Sequence, residues 1–197
     1  MTDILIVGAD SFIGKQLLIE FEENESVFVR GTSKSLDRKG NTLQLDLMKD
    51  PSSDDKHLQE FDIFYFLPGI TKTLEINRNP LLAKQVNLIQ TLKWIEFLAN
   101  KGSKIIFPSS SAVYGNSVPF PSEDDEVNPN SYYGELKLRV ENALIVMGID
   151  SLIIRLTKVV SQTQPLFLAY FSRRRQRRRC GGGGVPEVPL PHNPIIP

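Results

Sequence analysis

The sequence predicts an α/β fold built on a doubly wound parallel sheet. Two observations carry this: six short apolar runs alternate with stretches of helical periodicity, and the first run ends on a glycine, as a buried parallel strand does. "DILIVG" (3–8) is the first strand. "SFIGKQLLIEFEE" (11–23) follows as a helix, with Phe12, Ile13, Leu17, Leu18 and Phe21 at helical spacing. "SVFVRG" (26–31) and "TLQLDL" (42–47) are the second and third strands. "FDIFYFLPG" (61–69) is the fourth, stopped by Pro68-Gly69. A long helix covers 80–102, with Gly102 after its last turn. "SKIIFPSSS" (103–111) is the fifth strand, 131–148 a helix closed by Gly148, and "SLIIRLTKVV" (151–160) the sixth strand. Such alternation implies right-handed crossovers. No internal repeat is visible.

Composition narrows the function classes. A chain of 197 residues suits one domain with a real core, and 41% hydrophobic with 23% charged residues fits a globular body. No apolar run is long enough to span a bilayer, and "ILIVG" is too short for a signal peptide, so a cytoplasmic location with no membrane partner is the expectation. A single cysteine, Cys180, excludes a disulfide framework; His57 and His192 are too isolated to argue for a metal. The zero net charge hides an asymmetry. Residues 1–172 hold 17 basic and 22 acidic residues, whereas 173–197 hold six arginines and one glutamate.

The turn "VGADSFIG" joins the first strand to the first helix, where a dinucleotide fingerprint belongs. Gly8 suits a tight turn and Gly14 close packing of helix on strand, while Ser11 takes the place of the middle glycine. The helix start offers backbone N–H groups and its positive dipole end to a pyrophosphate, and the serine hydroxyl could add a bond to it. An ordinary two-glycine turn is the competing reading. At the end of the second strand an acid would bond a ribose 2′-hydroxyl, whereas a base would meet a 2′-phosphate. Arg30, Ser33 and Lys34 stand there with no carboxylate before Asp37, which leans the cofactor towards NADP over NAD.

In "SYYGELKLR" (131–139), Tyr133 and Lys137 lie four apart on one helical face, a spacing that also arises by chance. "SSSAVYG" (109–115) sits at the end of the fifth strand, where ligands lie in doubly wound sheets.

Taken in order, "VGADSFIG", "LDL" (45–47), "FLPG" (66–69), "SSSAVYG", "YYGELK" and "LIIRLTKVV" resemble the extended short-chain dehydrogenase/reductase superfamily over residues 3–172. That superfamily includes sugar-nucleotide epimerases, dehydratases and reductases, and the chain looks most like the branch related to dehydrorhamnose reductases. The resemblance implies a Rossmann domain over 1–172 with a C-terminal substrate lobe, and an NAD(P)-dependent oxidoreductase or epimerase acting on a sugar nucleotide. It implies that Tyr133 is the acid/base, that Lys137 lowers the phenol pKa and holds the nicotinamide ribose, and that Ser110 holds the reacting oxygen. Tyr132, with Leu136 at the lysine spacing, is the weaker candidate; Ser109 and Ser111 are close enough to be confused with Ser110. Cofactor contacts are implied at Gly8, Asp10, Ser11, Phe12, Ile13, Gly14, Arg30, Ser33 and Lys34. Asp46 and Leu47 fall beside adenine, and Leu67, Pro68 and Gly69 beside the cofactor. Asn87 reads as structural. The Asp-Glu pair of dehydratases is replaced by Ser111 and Ala112, which disfavours dehydration. The family often pairs through its long helix and tyrosine helix, so a homodimer through 80–101 and 131–147 is implied.

After "PLFLAYFS" (165–172) the substrate lobe should begin, but the chain reads "RRRQRRRCGGGGVPEVPLPHNPIIP". A shifted frame or truncated lobe explains the change of composition; a disordered nucleic-acid-binding tail on a non-catalytic dinucleotide-binding protein is the alternative.

Overall fold

The computed structural model describes residues 1–34, 42–99, 103–116, 120–157 and 159. The arginine-rich segment at 173–197, "PLFLAYFS" and the position after the long helix at Gly102 lie outside these. Six strands form one parallel sheet in the order β3-β2-β1-β4-β5-β6. They are β1 (Thr2–Val7), β2 (Val27–Ser33), β3 (Thr42–Gln44), β4 (Ile63–Phe66), β5 (Lys104–Ser110) and β6 (Ser151–Leu156). The order reverses between β1 and β4, so a crevice opens there above the strands' C-terminal ends.

β1 shows why the sheet is buried on both faces. Leu5 and Val7 point one way, joining Phe64, Phe66, Ile105 and Phe107 in the larger core cluster. Ile4 and Ile6 point the other way, against Leu17, Leu18 and Phe21 of helix α1 (Phe12–Glu22). The two-residue period of a strand sends alternate side chains to opposite layers. The larger cluster is closed by Trp94, Ile95 and Leu98 of α4 (Thr91–Leu98) and by Val140 and Leu144 of α5 (Tyr132–Val146).

Several element ends differ from the sequence expectation, each for a local reason. The long helix begins as α3 (Pro80–Lys84), with Pro80 at its start and Asn79 accepting from the Leu82 N–H at 3.0 Å. It continues through a π-helical stretch, Gln85–Gln90, into α4, which ends at Leu98 with Ala99 as its cap. Ser103 donates to the Leu98 carbonyl at 3.1 Å, and β5 is already paired from Lys104 with Ile63. β3 stops at Gln44 because Asp46 accepts from the Met48 N–H at 3.1 Å and folds the chain into a turn. β4 stops at Phe66, where Pro68, lacking an N–H, soon follows. β6 stops at Leu156, opposite the last residue of β5, Ser110. A 3-10 helix at Ser53–Glu60, capped by Ser52 and Asp55, and a short helix α2 (Thr73–Arg78) were not anticipated. Among the described residues no helix is long and apolar enough to cross a membrane, and no group of three acidic, histidine or cysteine side chains is placed to hold a metal.

Candidate functional site

The βα turn is shaped by contacts that leave no room for larger residues. Gly8 has φ +81°, a conformation that favours glycine, and a Cβ on it would meet the Pro68 ring at 3.3 Å. A Cβ on Gly14 would lie 2.5 Å from the Gly8 carbonyl oxygen and 2.8 Å from the Ala9 Cα. Ser11 caps α1 by accepting the Gly14 N–H at 3.1 Å. Its hydroxyl proton stays available as a donor. Phe12 and Ile13 occupy the first turn of α1, where backbone N–H groups have no carbonyl four residues back. The turn is tied to β2 by the Gly8 N–H to Thr32 Oγ1, at 3.1 Å, and the Ala9 N–H to the Thr32 carbonyl, at 2.9 Å. These features fit a pyrophosphate lying against backbone donors.

Ser33 and Lys34 stand at the C-terminal end of β2, while Arg30 lies three residues before it, mid-strand and paired in register with Leu5. Ser33 Oγ donates to Asp10 at 3.4 Å. The exposed Lys34 pairs with the partly buried Asp46 at 3.5 Å, so two of the anticipated cofactor contacts engage each other. Leu47 packs against the larger core cluster.

Leu67, Pro68 and Gly69 leave β4 directly across the crevice from Gly8. The Leu67 N–H donates to the Val7 carbonyl at 3.1 Å. The next residue, Ile70, is gripped at both backbone groups by Asn87: its N–H donates to Asn87 Oδ1 at 2.7 Å, and its carbonyl accepts from Asn87 Nδ2 at 2.8 Å. Asn87 is buried in the π-helical stretch, and Gly69 lies so near that a Cβ would be 3.2 Å from its amide oxygen. Its structural role is therefore specific: it fixes the loop beside the crevice.

Two contacts set α5, which carries Tyr133 and Lys137, against the end of β5 and the 3-10 turn that follows it. Gly134 presses on the 3-10 turn Ser111–Tyr114, where a Cβ would lie 2.4 Å from the Ala112 carbonyl oxygen. Lys137 Nζ donates to the Pro108 carbonyl at 2.7 Å. Both contacts fall within two residues of Ser110, and Tyr133 is next to Gly134. Ser110 Oγ accepts the Ala112 N–H at 3.2 Å, which leaves its proton free to donate. Strand alternation separates Ser110 from Ser109, which is buried and donates to Glu141 Oε1. The residue four after Tyr132 is the fully buried Leu136, and the residue four after Tyr133 is the buried Lys137.

The electrostatics differ from the expectation. Burial pushes the Tyr133 phenol up, with no lowering from the lysine. Lys137 Nζ lies over the Phe107 ring, 4.5 Å from its centroid, and is 5.9 Å from that of Tyr133. Burial lowers the ammonium to about 8, and the charge of Glu141 opposes that fall. Lys137 is thus engaged with β5, and burial keeps the phenol in its protonated form.

Two features around the crevice lacked a clear signal in the sequence. One is the Asn87 clamp. The other is a network of Glu141 with Arg155, Ser109 and Tyr114. The stripe Tyr133, Lys137, Glu141 at successive four-residue steps would have pointed to its first member.

A family model described as the NAD dependent epimerase/dehydratase family matches residues 4–179. The chain is similar to the UDP-glucuronic acid 4-epimerase of Bacillus cereus, solved in complex with UDP-glucuronic acid and NAD. Identity is 25% and the TM-score 0.68, over 78% of this chain and 56% of that one. It is similar to the UDP-Glc/GlcNAc 4-epimerase of Campylobacter jejuni at 25% identity and TM-score 0.66, over 79% of this chain and 53% of that one. L-threonine 3-dehydrogenase of Trypanosoma brucei, at 22% identity, shares the fold with a TM-score of 0.67, over 83% of this chain and 56% of that one. The chain thus spans little more than half the length of these proteins. With nearly its whole length matched by the family model, this chain belongs to the NAD-dependent epimerase/dehydratase family.

Proposed function

We propose that the chain is an NAD(P)-dependent oxidoreductase or epimerase acting on a sugar nucleotide. The observation that supports this reading is the docking of Gly134 on Ala112 and of Lys137 on the Pro108 carbonyl, which sets the helix carrying Tyr133 and Lys137 against the strand end that carries Ser110. Gly8, Ser11, Gly14 and the N–H groups of Phe12 and Ile13 would hold the pyrophosphate, and Leu67 to Gly69 would border the nicotinamide side. When bound, the cofactor supplies or accepts hydride at the sugar carbon. Ser110 donates a hydrogen bond to the reacting oxygen. Tyr133, protonated as its burial dictates, donates its proton to that oxygen when a ketone is reduced and recovers it in the reverse step. Lys137 has two ammonium protons beyond the one given to Pro108, enough for ribose hydroxyls.

The choice of NADP over NAD rests on Lys34, which a 2′-phosphate would draw away from Asp46. Relatives solved with NAD favour the other choice for themselves. Exposed Leu81 and Leu82 on α3 and Ile145 and Val146 on α5 supply apolar surface for a homodimer through these helices.

Titration with NADH and NADPH, followed by nicotinamide fluorescence, tests the cofactor, and absence of binding below millimolar overturns the reading. Wild type and Tyr133→Phe are then compared on keto-sugar nucleotides and on UDP-hexoses. A loss of about 10²–10⁴-fold is expected; equal turnover removes Tyr133 from the chemistry. Net consumption of reduced cofactor identifies a reductase, whereas sugar inversion without net consumption identifies an epimerase.

A further inference from the structure

Behind the trio lies a second set of ionisable groups that the proposed chemistry leaves unused. Glu141 sits one helical turn beyond Lys137 on the same face of α5 and is 2% exposed. A carboxylate so buried is costly unless each oxygen is satisfied. Here both are: Oε1 accepts from Ser109 of β5, and Oε2 from Arg155 of β6 at 2.8 Å through Nη2 and 3.2 Å through Nε. Arg155 is fixed in turn by donating to the Tyr114 hydroxyl at 2.8 Å.

We propose that Glu141 is a positioning residue for Lys137: its buried carboxylate is the counter-ion that keeps the lysine ammonium charged and in place, and Ser109 and Arg155 hold that carboxylate still. This assignment deepens the proposed function, because a charged Lys137 is what that reading needs.

The physical case follows from burial. The Lys137 ammonium is in low-dielectric surroundings, its protein acceptor is a neutral carbonyl, and Phe107 covers it. Burial drives such a group towards neutrality, and a nearby negative charge opposes this. The other ionisable groups around the pair are Tyr133 on α5, Tyr114 on the 3-10 turn and Arg155 on β6. β5 contributes the neutral Ser109, and α4 turns Ile95 and Leu98 into the core cluster that α5 shares. Arg155 is cationic and cannot sustain the ammonium, which leaves Glu141, one turn along the same helical face, as the negative charge that does. An ordinary structural ion pair would hold β6 to α5 without affecting the lysine.

The test is an NMR titration of the full chain labelled with ¹³Cε-lysine, with the Lys137 signal assigned by its loss in Lys137→Arg. In wild type the midpoint falls near 8. In Glu141→Gln it is expected lower by about one pH unit or more, and Glu141→Asp, which keeps the charge, should restore most of the difference. The paired variant Glu141→Gln/Arg155→Gln removes both charges together, leaves no unpaired guanidinium, and should also lower the midpoint. A wild-type midpoint in either charge-removing variant, folded by its thermal transition, overturns the assignment. So does failure of both to fold while Glu141→Asp folds, since the carboxylate would then be a structural partner alone. The titration uses neither cofactor nor sugar, so its outcome is separate from that of the Tyr133→Phe comparison.

Discussion

The two sides of the crevice are made of different materials. Around Gly8 and Gly14 the surface is backbone, held by close approach and by the cap from Ser11, and no charged group is buried there. Around Lys137 the surface is made of buried side chains whose charges must be balanced within the fold. The first side is limited by space and the second by electrostatics. They should therefore respond oppositely to an added methyl and to a removed charge.

The largest effect is expected from Gly14→Ala, because the new Cβ meets backbone that cannot step aside. A loss of about 3 kcal/mol in urea unfolding is expected, with weakened cofactor binding. A neutral result would show that the turn is looser than its contacts imply. Lys137→Met should do the reverse and stabilise the fold by about 2 kcal/mol at pH 7, because it removes a buried ammonium. The sign follows from protons bound. Lys137 loses its proton near 8 in the fold but near 10.5 in the free side chain. Between these values the unfolded chain holds more protons, so wild-type stability rises with pH. The advantage of the methionine variant should be full below pH 8 and shrink towards 10.5, as thermal melts across that window would report. An advantage that does not change with pH would assign it to packing alone.

A smaller effect tests the border between the two sides. Asn87→Ala should cost about 1 kcal/mol and speed hydrogen exchange at the Ile70 amide, which loses its acceptor. Unchanged exchange would mean that the loop holds itself. The smallest effect is expected for Lys34→Gln, which removes the pairing of an exposed lysine with Asp46 and should alter stability by less than about 0.5 kcal/mol. Its readout is the ratio of NADPH to NADH affinity, and an unchanged ratio removes Lys34 from cofactor choice.

The same contrast explains what the sequence disclosed. Glycine spacing, a serine at a helix start and apolar strands are local signals, and the turn, the sheet class and all six strands were legible from them. That Tyr133 and Lys137 lie side by side on one helix was legible because their spacing is local. The Glu141 network joins residues from β5, α5 and β6, and the Asn87 clamp joins a helix to a loop seventeen positions away, so neither has a short signature. Element ends were misread where a side chain, not periodicity, decided them, as Asp46 does after β3 and Ser103 after α4.

The π-helical stretch at Gln85–Gln90 has one further consequence. Near its middle the stretch serves the loop after β4 through Asn87. From its last residue onward the helix serves the loop after β3, where Gln90 donates to the Met48 carbonyl, Trp94 donates to the Lys49 carbonyl and Lys93 pairs with Asp50. The wider coil works like a phase adjuster between two gears on one shaft. A π turn holds one residue more than an α turn, so straightening the stretch into α-helix with every residue kept would turn one end by about 100° against the other. Both loops could not then stay meshed, although no residue that grips either one had been changed.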